Sequence, residues 1–161
     1  MIDVLINTAI FVRDLLSYNE QLIRIGRLNF ELDGLEDSYI AVDSISPAIR
    51  LGSGQYFDAT LEVMEYQEQW QIPIILSFYG TNAYTNANNF RLYLQSQTSI
   101  ELQETLSIAV FKSSSMLDIK ILTGQNYNNR LDLTINVEYS INADISTLRI
   151  DTAETTLIVD N

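Results

Sequence analysis

The sequence predicts an α+β fold, a mostly antiparallel sheet with an N-terminal helix and a central helix packed on one face. Three observations lead there. The chain opens on an amphipathic helical segment, a second helical region sits near its middle, and both are followed by stretches whose apolar residues alternate. The order of elements therefore reads α–β–β–α–α–β–β, which is the pattern of helices segregated to one side of a sheet. A length of 161 residues fits a single domain over 1–161 and leaves little room for two independent cores.

Residues 2–17 form the first helix on this reading. Leu5, Ala9, Val12 and Leu16 make one stripe, with Val4, Phe11 and Leu15 beside it. Ile6 and Ile10 intrude on the polar arc of Asp3, Asn7 and Asp14, giving more apolar surface than one sheet face requires. Burial by a neighbouring subunit would account for the excess; a core helix with one or two exposed isoleucines is the plain alternative. Between 18 and 38 the pattern is mixed: 22–25 and 28–32 suit short strands, and Asp33 with Gly34 marks a turn. Residues 39–45 are β-branched and aromatic enough for a strand. Pro47 and the Gly52, Ser53, Gly54 cluster then predict a flexible loop over 46–57.

Strands are expected at 59–66 and 69–79, joined as a hairpin through Gln67 and Glu68. Pro73 cannot donate to a ladder, so it implies an edge, a strand end or a bulge. Gly80 ends this strand, and Thr81 or Asn82 caps a helix over 82–97. Its buried stripe is Ala83, Ala87, Phe90 and Leu94, with Asn86, Asn89, Tyr93 and Gln97 opposite. Thr98 and Glu101 suit a capping box for a short helix at 99–106. Strands follow at Ile108–Lys112 and 116–122, then a polar loop at 124–129. In 131–141 the apolar residues alternate without a break against Asp132, Thr134, Asn136, Glu138 and Ser140, as in a sheet with one wet face. Residues 142–161 are expected to form a C-terminal arm, whose Leu148 to Ile150 and Leu157 to Val159 are either edge strands or a segment that orders on a partner.

Composition narrows the function. Hydrophobic residues make up 47%, enough for a core, while charged residues are only 19%, below the roughly 25% of ordinary soluble proteins. Asn, Gln, Ser and Thr fill the difference, and such a surface loses little on desolvation. Extensive partner contacts and a compositional bias of the genome explain this equally well. The net charge of −12 repels phosphate, and the nine basic residues form no stripe, so binding along nucleic acid is not expected. Arg24 and Arg27 lie close together, in reach of Glu20 or Glu31. The chain has no Cys and no His, which removes disulfides, thiolate sites, and the commonest general base and metal ligand. The N-terminus carries no signal-peptide pattern, and no apolar run approaches the roughly 18–20 residues of a membrane span. A soluble protein made in the cytoplasm is the expectation.

Catalytic motifs are not found. Walker, GxGxxG, GxSxG and SxxK patterns are missing, and Gly52 to Gly54 is too short to cradle phosphate. Glu62, Glu65 and Glu68 read as a solvated strand face, since Glu62 and Glu65 would point to opposite sides. Asp33, Glu36 and Asp37 lack the EF-hand spacing and read as an acidic turn. No cofactor, metal or enzymatic activity is expected. Trp70 belongs to the inward set of its strand and suits the core. Tyr56 and Phe57, in a glycine-bounded loop, suit contact with a partner, as does Tyr127 in its polar loop.

The run from Trp70 to Gly80, ending Ser77, Phe78, Tyr79, Gly80, leads into Thr81, Asn82, Ala83 and a helix carrying Phe90, Arg91, Leu92, Tyr93, Leu94, Gln95 and Ser96. This block resembles the central part of the phage neck and tail terminator proteins. Residues 116–122 and the run Asn129, Arg130, Leu131, Asp132, Leu133 resemble the strand pair that follows in that family. The resemblance covers 58–141; residues 18–57 and those after 142 have no counterpart in it. It implies a structural virion protein, made in the host cytoplasm and located at the neck or tail. Such proteins form a ring, usually of six copies, that caps the tail tube or joins it to the head-completion proteins. DNA would pass through without specific binding, and no membrane is involved. Residues expected at subunit or partner contacts are Ile6, Ile10, Tyr56, Phe57, Tyr93, Tyr127 and Arg130. The alternatives are another phage connector or baseplate component, or a small carboxylate-based hydrolase or ligand-binding protein.

Overall fold

The alternation seen at 131–141 runs much further than eleven residues. In the computed structural model, which describes residues 2–26, 38–58, 60–112, 116–123 and 126–146, one strand extends from Asn126 to Ser146 (β7) and pairs antiparallel with another from Val63 to Tyr79 (β4). Directly paired residues share a face. The pairs Ile72 with Val137, Ile74 with Ile135, Leu76 with Leu133 and Phe78 with Leu131 therefore form one apolar surface, and all eight side chains are buried.

Three helices cover it: α1 (Ile2–Leu16), α2 (Ala83–Tyr93) and α3 (Gln97–Leu106). Phe90 of α2 joins the layers, its ring centroid 6.2 Å from both Phe11 of α1 and Phe78 of β4. Ala83 and Ala87, on the same stripe, are fully buried and let α2 lie close to the sheet. Each fully buried Leu, Ile or Phe of this cluster contributes roughly 1.5–3 kcal/mol.

The remaining strands are β1 (Ile23–Ile25), β2 (Ile40–Ser44), β3 (Ile49–Asp58), β5 (Ile108–Lys112) and β6 (Leu117–Thr123). The sheet order is β1-β2-β4-β7-β5, with β3 continuing along β4 beyond β2 and β6 along β7 beyond β5. Only the β1–β2 pair is parallel, so the α+β class with a mostly antiparallel sheet is observed. No helix among the described residues is long and apolar enough to cross a membrane.

Four local expectations are corrected. Gln67 and Glu68 do not turn; they lie mid-strand, opposite Gly54 and Ser53 on one side and Asn142 and Ile141 on the other. The reversal falls between Asp58 and Val63, where the Asp58 carboxylate accepts the N–H groups of Thr60 (2.7 Å) and Leu61 (3.2 Å) and Glu62 takes a left-handed φ of 52°. An Asp accepting from the backbone two residues on makes a turn without glycine. Second, the stretch 46–57, expected as a flexible loop, is strand from Ile49 onward, and Gly52 and Gly54 pair with Gln69 and Gln67. The register shift between Arg50 and Gly52 is the irregularity those glycines mark.

Third, the cap of α3 is Ser96, whose side chain accepts from the Ser99 N–H, and not Thr98; Glu101 bonds Gln97 instead. Fourth, residues 142–146, expected in a C-terminal arm, belong to β7, and the polar loop at 124–129 is strand from Asn126. Pro73 sits at a strand end of its neighbours: β2 stops opposite Ile74, β3 starts opposite Gln71, and the Pro73 carbonyl accepts from Ile45 between them. Pro73 still pairs with Asn136 of β7, but its missing N–H would point to the other side, between β2 and β3, where neither strand pairs with it. The strand expected at 28–32, the turn at Asp33 and Gly34, and the segments around 148–150 and 157–159 lie outside the described residues.

Candidate assembly surfaces

Past Ile72 and Val137 the helices stop but the sheet does not. β3, the first half of β4 and the end of β7 continue as a three-stranded arm, with nine more residues of β4, Val63–Gln71, before the turn. At about 3.3 Å per residue this projects the arm roughly 30 Å beyond the covered core. Its two faces differ. On the helix side the core surface carries on through Met64, Tyr66, Trp70, Ile141 and Ala143; Tyr66 is 40% exposed and Ile141 50%. The opposite face carries Glu65, Gln67, Gln69, Ser140, Asn142 and Asp144.

One charged pair interrupts the apolar side. Glu68 accepts from the Arg50 guanidinium (3.1 Å) and from the Trp70 indole N–H (3.1 Å), which pins the indole half-buried at the base of the arm. A depression of about 500 Å³ lies beside this pair, bounded by Gln55, Tyr66, Glu68, Ile141 and Ala143. Another of about 470 Å³ opens where α3 meets the arm, lined by Gln69, Ile100, Gln103 and Tyr139 among others. Among the described residues of the arm, Asp58, Glu62, Glu65, Glu68, Glu138 and Asp144 outnumber the single basic residue Arg50, and of these carboxylates Glu68 shares the face of Arg50 while Asp58, Glu65, Glu138 and Asp144 lie on the other.

A second polar constellation lies at the other end of the sheet, on the face away from the helices. The Tyr39 and Tyr79 rings stack 4.3 Å apart, and the Arg130 guanidinium lies 5.4 Å from the Tyr79 ring centre. Arg130 grips Asp132 through both Nε and Nη2, at 2.8 Å each, and Nη2 also reaches the Ser77 hydroxyl at 3.4 Å. Asp132 is only 6% exposed. The hydrogen bond to Asp132 raises the Arg130 pKa above its ordinary value, and burial raises that of Tyr39. Among the described residues no buried side-chain nitrogen or oxygen lacks a partner, so this cluster is complete within the chain and works as a tie between β4 and β7.

The helical layer has its own uncovered surface. Tyr84, Asn88, Arg91 and Leu92 recur at i, i+4, i+7 and i+8 along a flank of α2 beside the stripe of Ala83, Ala87 and Phe90. Tyr84 is 65% exposed and Leu92 63%. Sequence reasoning passed over both, although the same helical wheel that marked the buried stripe places both outside it.

The residues expected at contacts are scattered over these surfaces. Tyr56 and Phe57 lie near the tip of the arm on opposite faces, Tyr56 exposed and Phe57 half-buried. Tyr93 is exposed at the end of α2, Ile6 is exposed on α1, and Ile10 is half-buried. Asn7, between them in sequence, donates to the Leu106 carbonyl at the end of α3 (3.2 Å). Arg130 is engaged with Asp132 as described. Tyr127 falls in β7, and its side chain lies outside the described residues. No group of three or more His, Cys, Asp or Glu among the described residues is arranged to hold a metal ion.

No curated protein matches this chain. A family match does exist, to the family described as phage neck terminator protein, and it spans residues 17–161. It reaches beyond the block at 58–141 that carries the sequence resemblance, taking in β1, β2, β3 and everything after β7. With so much of its length matched, the chain belongs to the phage neck terminator protein family.

Proposed function

We propose that this chain assembles into a ring, of six copies, that closes the tail tube or joins it to the head-completion proteins. As a neck terminator protein it is a structural component of the phage neck and tail. The single observation that carries the ring reading is the arm. A three-stranded sheet with Tyr66 and Ile141 about half exposed on one face holds more apolar surface in water than a finished subunit needs. Neighbouring copies supply the cover, and the protein acts by geometry and not by turnover. The tail tube on one side and head-completion or other neck proteins on the other are its partners.

The acidic balance supports the same reading. With a net charge of −12 per copy, a ring repels the phosphates of DNA moving through it, so the genome slides without sticking. Native mass spectrometry and negative-stain imaging of the purified protein test the assembly: rings of one copy number are expected, and a lone subunit at high concentration rejects it. Retention of DNA by the assembled ring at moderate salt would reject the sliding surface. Capture by tail-tube and head-completion proteins separates a terminator from another connector or baseplate part.

A further inference from the structure

We infer that copies join edge to edge through the arm, β7 of one copy running parallel beside β3 of the next and hydrogen-bonded to it. The inference rests on the ring reading and adds which two strands meet. Among the described residues β3 pairs with β4 alone, and β5 stops at Ile108, opposite Tyr139, so that no strand lies beside Ser140, Asn142 and Asp144. The arm thus has one open edge on each side. Neither stretch, 49–58 or 140–146, contains the proline or lysine with which sheet edges are commonly blunted. An open edge of that kind fits one class of partner, another strand.

Ring geometry decides which edges meet. Copies in a ring touch through unlike surfaces, so β3 meets β7 and neither meets its own counterpart. Both strands run antiparallel to β4, and the joined pair is therefore parallel. Their heights agree: Gly52, Gly54 and Tyr56 lie across β4 from Ser140, Asn142 and Asp144, through Gln69, Gln67 and Glu65. The Tyr79 N–H and the Pro73 carbonyl bond Tyr39 and Ile45 on the β2 side, so odd-numbered residues of β4 turn their backbone groups toward β3 and even-numbered ones toward β7. The groups left pointing outward are those of Ser53, Gln55 and Phe57 on β3 and of Ser140, Asn142 and Asp144 on β7. At equal height the two sets interleave, as a parallel ladder requires: Asn142, opposite Gly54 of the next copy, reaches its Ser53 and Gln55. No like charges stand opposite each other in that register, and half-buried Phe57 comes beside Ile145, which is 54% exposed.

The chain has no cysteine, so paired cysteines read the contact directly. Asp144→Cys with Tyr56→Cys tests equal height; Asp144→Cys with Gly54→Cys, and Asn142→Cys with Tyr56→Cys, test a shift of two residues either way. All four positions are exposed, and a side chain at Gly54 meets nothing within 4 Å. Within one copy β4 separates the members of each pair by about 9.6 Å or more, too far for a disulfide, so every bridge is between copies. Oxidation of at least one double variant is expected to give a ladder on a non-reducing gel, rising to the copy number of the ring, while each single-cysteine variant stays one band. Dimers from a single-cysteine variant mean that like edges meet, and overturn the contact. No bridge in any double variant that native mass spectrometry shows as rings also overturns it, leaving the ring reading standing; cover of the β7 edge by residues 147–161 would give that result. A wild-type chain that never forms rings overturns the ring reading itself.

Discussion

The two halves of the β4–β7 ribbon share backbone, register and alternation, yet one half is a core and the other a surface. Ile135 and Ile141 sit on the same strand, three pairs apart on the same face; Ile135 is fully buried and Ile141 half exposed. What separates them is the length of the helices. α1, α2 and α3 cover the sheet as far as Ile72 and Val137, and the strands outrun them. An apolar row is thus a statement of what a strand wants to bury, and the neighbouring layers decide whether its own chain supplies the cover.

The largest expected effect comes from the covered half. Ile135→Ala should lower monomer stability by about 2–5 kcal/mol through lost burial and the cavity left behind. Ile141→Ala on the same face should cost less than about 1 kcal/mol, because half of that side chain already meets water. Urea denaturation under monomeric conditions measures both, and equal losses would break the contrast between the halves. Next comes Asp132→Ala, which removes the acceptor of two Arg130 hydrogen bonds from a nearly buried site and should cost about 1–3 kcal/mol. The same denaturation series checks it; no loss would mean the guanidinium finds water as good a partner.

Smaller still is the cap of α3. Ser96→Ala should destabilise by about 1 kcal/mol, whereas Thr98→Ala should move the urea midpoint within error, and the reverse order would restore Thr98 as the cap. The smallest effect is a pH dependence. Burial favours the neutral phenol of Tyr39 in the folded state, with Tyr79 adding to it and Arg130 opposing. A folded pKa raised above the unfolded value of about 10 leaves stability complete below that pH and erodes it as pH rises through the folded value. Urea midpoints measured from about pH 8 to 11 should fall at the alkaline end, and Tyr39→Phe should flatten that fall. A steeper fall in the variant would reverse the assignment.

Much of the fold was legible locally. The stripe of Ala83, Ala87 and Phe90, the strand at Ile108–Lys112 and the alternation after Leu131 each follow from side chains repeating at the period of their own element. The errors share one origin. Gln67 and Glu68 looked like a link because they are polar, but a strand exposed on both faces is polar too. Gly52 and Gly54 looked like a loop because glycine rarely strengthens a strand, yet a strand pinned along its length to β4 tolerates them. Of the candidate contact residues, Tyr56 and Phe57 were visible as aromatics near glycine, while the exposed Tyr84 and Leu92 were overlooked beside the buried stripe.

By itself the sequence determined which residues seek burial, the class of each main element, the absence of thiol and imidazole chemistry, and an acidic surface, because those depend only on residue type and spacing. The tertiary structure alone decided that Arg130 is spent on Asp132, that the reversal falls after Asp58, and that part of the β4–β7 ribbon projects beyond the three helices as an arm. Those outcomes depend on where distant segments end relative to one another, and no local period carries that information.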